Sequence, residues 1–135
     1  MKRSSAYTAC DILLPLLALA FFLGLLFVFG PCGPKEDGGW MTCHWAGQAL
    51  RGLAGALLVI ALLHLLPGRA ELKMGLDLAT LPLSVLALLL PGRLIGLCTM
   101  ASMQCRSIMR PAVTVFAVLL MIVSALDLLM RRKKP

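Results

Sequence analysis

Sulfur is the main chemistry this chain can offer. Four of its five cysteines fall in two short polar breaks of an otherwise apolar sequence. One break carries Cys32 and Cys43, within Pro31-Cys32-Gly33 and Met41-Thr42-Cys43-His44-Trp45. The other carries Cys98 and Cys105, with Met100 and Met103 between them. Paired cysteines in one compartment point first to disulfides, and four cysteines allow about three connectivities. A helical second break would part Cys98 and Cys105 by about 10 Å at 1.5 Å rise per residue. A disulfide needs Cα atoms within about 7 Å. A helical break therefore forces bridges between the two breaks, whereas a bent one allows a bridge within each.

The same residues support two sharper readings. In the first, Cys32, Cys43, Cys98 and Cys105 are catalytic thiols that hand electrons to a quinone. Arg51, Arg93, Arg106 or His44 would activate a thiolate, although interfacial arginines more commonly touch lipid phosphates. The layout is similar to the bacterial membrane oxidase that passes electrons from thiols to quinone. The resemblance is topological only, because that family uses a Cys-x-x-Cys pair and this chain has none. In the second reading, Met41, Cys43, His44, Met100, Met103 and Cys105 are soft ligands for copper(I), or His44 and a methionine hold haem iron. No zinc-type spacing and no Cys-x-x-Cys-His run supports either group. The plainer reading has packing methionines, a structural histidine, Trp40 and Trp45 as interfacial anchors, no catalytic residue and no cofactor.

The elements that position these breaks follow from composition. The chain is 60% hydrophobic and 14% charged over 135 residues, with a mean hydropathy of +0.93. A soluble domain carries about 25% charged residues. Apolar segments near 11–30, 46–66, 76–97 and 111–130 each approach the roughly 20 residues that span a hydrocarbon core. Only helices satisfy the backbone inside such isolated segments. The expectation is an all-α integral membrane four-helix bundle, one domain over 1–135, with outer loops at 31–45 and 98–110. The first segment reads as an uncleaved helix, since its apolar run is long and no small-residue cleavage site follows. The net charge of +7 is no nucleic-acid signature, because the basic residues flank apolar segments. The first partner is the lipid bilayer.

Lys2, Arg3, Arg69, Lys73, Arg131, Arg132, Lys133 and Lys134 fall on one side. Lys35, Arg51, Arg93, Arg106 and Arg110 fall on the other. The positive-inside rule places both termini in the cytoplasm. Both cysteine-bearing loops then face an oxidising compartment, and Cys10 packs at the cytoplasmic end of the first helix. The patterns Cys32…Met41-x-Cys43 and Cys98…Met103-x-Cys105 suggest a two-hairpin repeat, a pattern that chance also produces in a chain rich in Met and Cys. Asp11, His64, Asp77 and Asp127 fall near cytoplasmic helix ends and read as an interfacial ring. Lys73 is set to pair with Asp77, and Arg131 with Asp127, across one helical turn. Thr80, Ser84 and Thr114 are almost the only polar residues in mid-membrane, which argues against a self-sufficient pump. Pro15 and Pro82 mark kinks or early turns, and Gly52 and Ala56 offer a close helix contact.

At the breaks the sequence resembles the small bacterial membrane proteins catalogued as domain of unknown function 4418. The resemblance rests on Cys32, the run from Trp40 through Cys43, His44 and Trp45 to Ala49, Ile95-Gly96-Leu97-Cys98, Met103-Gln104-Cys105 and Arg110-Pro111-Ala112. It covers essentially the whole chain. It implies a four-helix protein of the bacterial cytoplasmic membrane without an assigned activity, in the company of transporters. The function expected is an accessory or structural subunit with a disulfide-braced extracytoplasmic cap, docked on a transporter or other membrane protein. The quinone-linked oxidase and the copper or haem site are the alternatives.

Overall fold

A computed structural model describes residues 2–28, 38–39, 42–91, 93–94 and 105–133. Four α-helices make up nearly all of them: α1 (Lys2–Phe27), α2 (Thr42–Leu63), α3 (Ala70–Leu89) and α4 (Arg110–Arg132). A single π-helical turn, Cys105–Met109, leads into α4. All four α-helices are long and apolar enough to cross a membrane. The protein is an all-α, multipass membrane bundle.

The helix limits follow local chemistry. No proline or glycine interrupts Lys2–Cys10, so α1 starts nine residues before the expected boundary. Its polar first turns extend past the apolar span that opens at Tyr7. Helix α3 stops at Leu89, well short of the expected 97. Leu90 closes its last turn by donating N–H to Leu86 O at 2.9 Å, and Pro91 follows. Proline has no N–H to give, so the next helical hydrogen bond cannot form, although Leu90 itself keeps helical angles. Pro111 sits in the first turn of α4, where a missing N–H costs nothing. Pro15 and Pro82 lie inside α1 and α3 without ending either helix. Gly38 has φ of 85°, a conformation glycine adopts at little cost.

The helices form a ring in which α1 packs on α2 and α4, and α3 packs on α4 and α2. On α1 the buried row is Leu14, Ala18, Phe21 and Leu25. On α2 it is Ala46, Leu50, Ala54, Leu57 and Ala61, alternating small and large. Steps of three and four put each row on one helix face. Phe21 stacks on Phe116 of α4 with ring centroids 5.6 Å apart. Gly52 and Ala56 are not in this contact: both are exposed, and a Cβ on Gly52 would meet nothing within 4 Å. They lie about 100° per residue away from the buried row, on the outward face of α2. Gly55 does face another helix: its added Cβ would sit 3.8 Å from Phe22 Cε2.

Candidate functional site

The inward face of α3 departs from this apolar pattern. Asp77, Thr80 and Ser84 are buried there before the row returns to Ala87. Ser124 and Asp127 are buried on α4 opposite. His64, just past the end of α2, is fully buried as well. Of these, His64, Asp77 and Asp127 converge with Tyr7 and Asp11 of α1 at the end of the bundle where α1 begins and α4 ends.

Asp11 is the hub of this cluster. Its Oδ2 accepts a hydrogen bond from Lys73 Nζ of α3 at 2.7 Å. Its Oδ1 accepts one from the Arg131 guanidinium of α4, also at 2.7 Å. Arg131 donates a second bond, Nε to Asp127 Oδ2 at 2.9 Å. The fork geometry of arginine lets one side chain serve two carboxylates on different helices. The guanidinium carbon lies 5.3 Å from the Tyr7 ring centroid, within cation–π range. Tyr7 Oη donates to the Met130 carbonyl at 3.1 Å, one of the carbonyls left open at a helix C-terminus. His64 completes the set, with Nε2 at 3.1 Å from Asp77 Oδ1 and Nδ1 at 3.6 Å from Asp11 Oδ1. One charged cluster thus joins all four helices.

The pair expected between Asp127 and Arg131 is present. The pair expected between Asp77 and Lys73 is not. Lys73 reaches across to Asp11 and leaves Asp77 to His64. The four residues read as an interfacial ring instead form a buried cluster. Asp77 lies six residues, about 9 Å of helix rise, inside the apolar span that opens at Glu71. Asp77 thus falls in the first two turns of that span, near the helix end where the sequence places it. Among the described polar atoms, His64 Nδ1 and Nε2, Asp77 Oδ1 and Oδ2, Asp127 Oδ1, Ser84 Oγ and Ser124 Oγ are buried without an aligned hydrogen bond. Thr80 avoids this by donating Oγ1–H to Leu76 O at 2.9 Å, and Thr114 likewise donates to Arg110 O at 2.8 Å.

The sulfur residues stand differently. Cys32, Met41, Cys98, Met100 and Met103 lie outside the described residues, as do the side chains of Cys43 and Cys105. The disulfide, thiol-oxidase and soft-metal readings therefore turn on groups outside them. Of the candidate soft ligands, His44 has its side chain described: it is half-buried and packs edge-on against Trp45, with centroids 5.2 Å apart. Trp45 is 59% exposed, which suits an interfacial anchor. Cys10 is a half-buried free thiol beside the charged cluster.

Single polar residues near helix ends were visible in the sequence, but their convergence was not. The signal available was their number. Three aspartates and a histidine within two turns of the same bilayer face exceed what local pairing with two cations satisfies.

The chain belongs to the family described as Domain of unknown function (DUF4418), whose model matches residues 14–130. No curated protein and no solved structure matches the chain.

Proposed function

For a member of this family, a small multipass membrane protein without an assigned activity, we propose a non-enzymatic role. The chain is an accessory or structural subunit of the bacterial cytoplasmic membrane. Both termini and the Asp11 cluster face the cytoplasm, in keeping with the Lys and Arg count. The loops bearing Cys32, Cys43, Cys98 and Cys105 face outward, where disulfides brace a cap. The partner is another membrane protein, of transporter type, that receives this bundle through a transmembrane helix.

The observation that carries this reading is the outward position of Gly52 and Ala56 on α2. Small residues one turn apart let helix backbones approach closely in lipid, where packing rather than hydrophobicity drives association. The bundle's own contacts do not use this pair. Its internal charge cluster fastens the four helices independently, so the outer face of α2 is free to serve a partner.

The test is native electrophoresis of membranes extracted in mild detergent, for wild type and Gly52→Leu. Wild type is expected in a larger complex of fixed composition and Gly52→Leu as the bundle alone, with Cys32, Cys43, Cys98 and Cys105 oxidised in both. A wild-type chain that runs alone, or a complex indifferent to Gly52→Leu, would count against the docking role. Free, rapidly alkylated thiols in the native membrane would remove the disulfide cap.

A further inference from the structure

With its three carboxylates ionised, the charged cluster is one positive charge short of balance. Asp11, Asp77 and Asp127 bring three carboxylates, and Lys73 and Arg131 bring two permanent cations. The remaining member is His64, whose side chain is 0% exposed. Its two ring nitrogens face two different carboxylates, Nε2 toward Asp77 at 3.1 Å and Nδ1 toward Asp11 at 3.6 Å. A neutral imidazole has one N–H donor and one bare nitrogen. While both carboxylates are ionised, the bare nitrogen of either tautomer turns its lone pair on a carboxylate oxygen. With a proton on each nitrogen, the Nε2 contact becomes a hydrogen bond and the Nδ1 contact, at 3.6 Å, an ion pair, and the cluster sums to zero.

From this geometry we propose that His64, Asp77 and Asp11 form a binding site for a single exchangeable proton, loaded on His64. The titratable and charged groups around it come from the three helices other than α2: Tyr7, Cys10 and Asp11 on α1, Lys73 and Asp77 on α3, and Asp127 and Arg131 on α4. Asp77 and Asp127 also face one another, with three of their four oxygens lacking an aligned donor. Of these acceptors, Asp77 Oδ1 is the one that a loaded imidazolium, with slight realignment, would satisfy through Nε2. Because His64 follows the end of α2 directly, loading the proton fastens α2 to α1 and α3, and unloading it loosens that corner. The polar seam of Thr80, Ser84 and Ser124 runs from the site toward the bilayer middle.

A divalent metal is the competing occupant. Donor atoms of Asp11, His64 and Asp127 all lie within 4.8 Å of one another, a suitable size for such an ion. The electrostatics oppose it. Asp11 already accepts from Lys73 and Arg131 at 2.7 Å, and two added charges would overshoot a deficit of one.

The experiment is 15N NMR of the histidine side chains in the full-length protein reconstituted in lipid, titrated over the pH range in which helix content stays constant. His44 supplies a second signal, assigned with His44→Gln. His64 is expected to pass between singly and doubly protonated forms, with one proton per chain beyond that of His44. Asp77→Asn, which keeps shape but removes the charge deficit, is expected to shift that transition at least tenfold in proton concentration. A wild-type His64 that holds one form throughout would overturn the proposal. So would a transition that Asp77→Asn leaves in place. Stoichiometric binding of added Mn²⁺ or Zn²⁺ that Asp127→Asn abolishes would also overturn it, in favour of a metal site.

Discussion

The α1–α2 pair and the α3–α4 pair cross the same bilayer and are held by opposite means. Between α1 and α2 the contact is apolar: Leu14, Ala18, Phe21 and Leu25 meet a row in which Ala46, Ala54 and Ala61 alternate with Leu50 and Leu57. The α3–α4 contact, the more extensive of the two, carries Asp77, Thr80 and Ser84 on one side and Ser124 and Asp127 on the other. Lipid tails are as apolar as leucine, so burying Leu14 or Leu50 in the bundle gains little beyond packing. A buried hydroxyl or carboxylate is different, because lipid offers it no partner. The apolar pair depends on fit. The polar pair depends on whether each polar atom is satisfied, and several are not.

Asp11 breaks the symmetry of this contrast, and its removal should have the largest effect. It sits on a helix of the apolar pair but holds Lys73 and Arg131 of the polar one. Asp11→Asn strands Lys73 and half of Arg131. Removing one partner of a buried ion pair costs about 3–5 kcal/mol. The Asp11 side chain is 18% exposed, so about 3 kcal/mol, the low end, is expected in reversible SDS unfolding followed by circular dichroism. A loss below about 1 kcal/mol, the range of a surface pair, would mean that the cluster does not fasten the hairpins together. Phe21→Ala should come next. In a water-soluble core this change costs about 3–5 kcal/mol. Here the transfer part is absent and only lost packing, that on Phe116 of α4 included, remains, so roughly 1–2 kcal/mol is expected. A full soluble-core loss would show that the apolar face of α1 gains more from burial than lipid should permit. Thr80→Val removes one hydroxyl that bonds within its own helix. It should cost about 0.6 kcal/mol, the average for a polar contact inside a membrane bundle.

The same contrast explains what could be read before the fold was known. The four spans follow from apolar segment length, and the Asp127–Arg131 pair follows from a spacing of one helical turn. Both are local. The start of α1 at Lys2 and the end of α3 before Pro91 are local too, and were misjudged by following hydropathy rather than helix breakers. The hub at Asp11 is not local: its partner Arg131 lies 120 positions away. A spacing rule gave Lys73 to Asp77, but the ring geometry brings Asp11 closer to the lysine and places His64 over Asp77. Gly52 and Ala56 fitted a contact motif, yet which face of α2 turns inward depends on the alternating row that the other helices fill. For the cysteine-bearing breaks, sequence spacing remains the argument, since their sulfurs lie outside the described residues.

The smallest effect is the most discriminating. Ser84 is fully buried on α3 and its Oγ has no hydrogen-bond partner. Burying an unsatisfied polar group costs about 1–3 kcal/mol, whereas replacing it with an apolar group of similar shape is neutral or stabilising. Ser84→Ala should therefore leave stability unchanged or raise it by up to about 1 kcal/mol, opposite in sign to Thr80→Val one turn away. Both residues are buried on the inward face of α3 and both carry hydroxyls, so the sign difference isolates satisfaction from burial. The measurement is the same unfolding titration with the two variants side by side. If Ser84→Ala instead destabilises by more than Thr80→Val, Ser84 must hold a bound water or proton donor in the seam. The polar pair would then be a hydrated path continuous with the His64 site rather than a packing contact with spare hydroxyls.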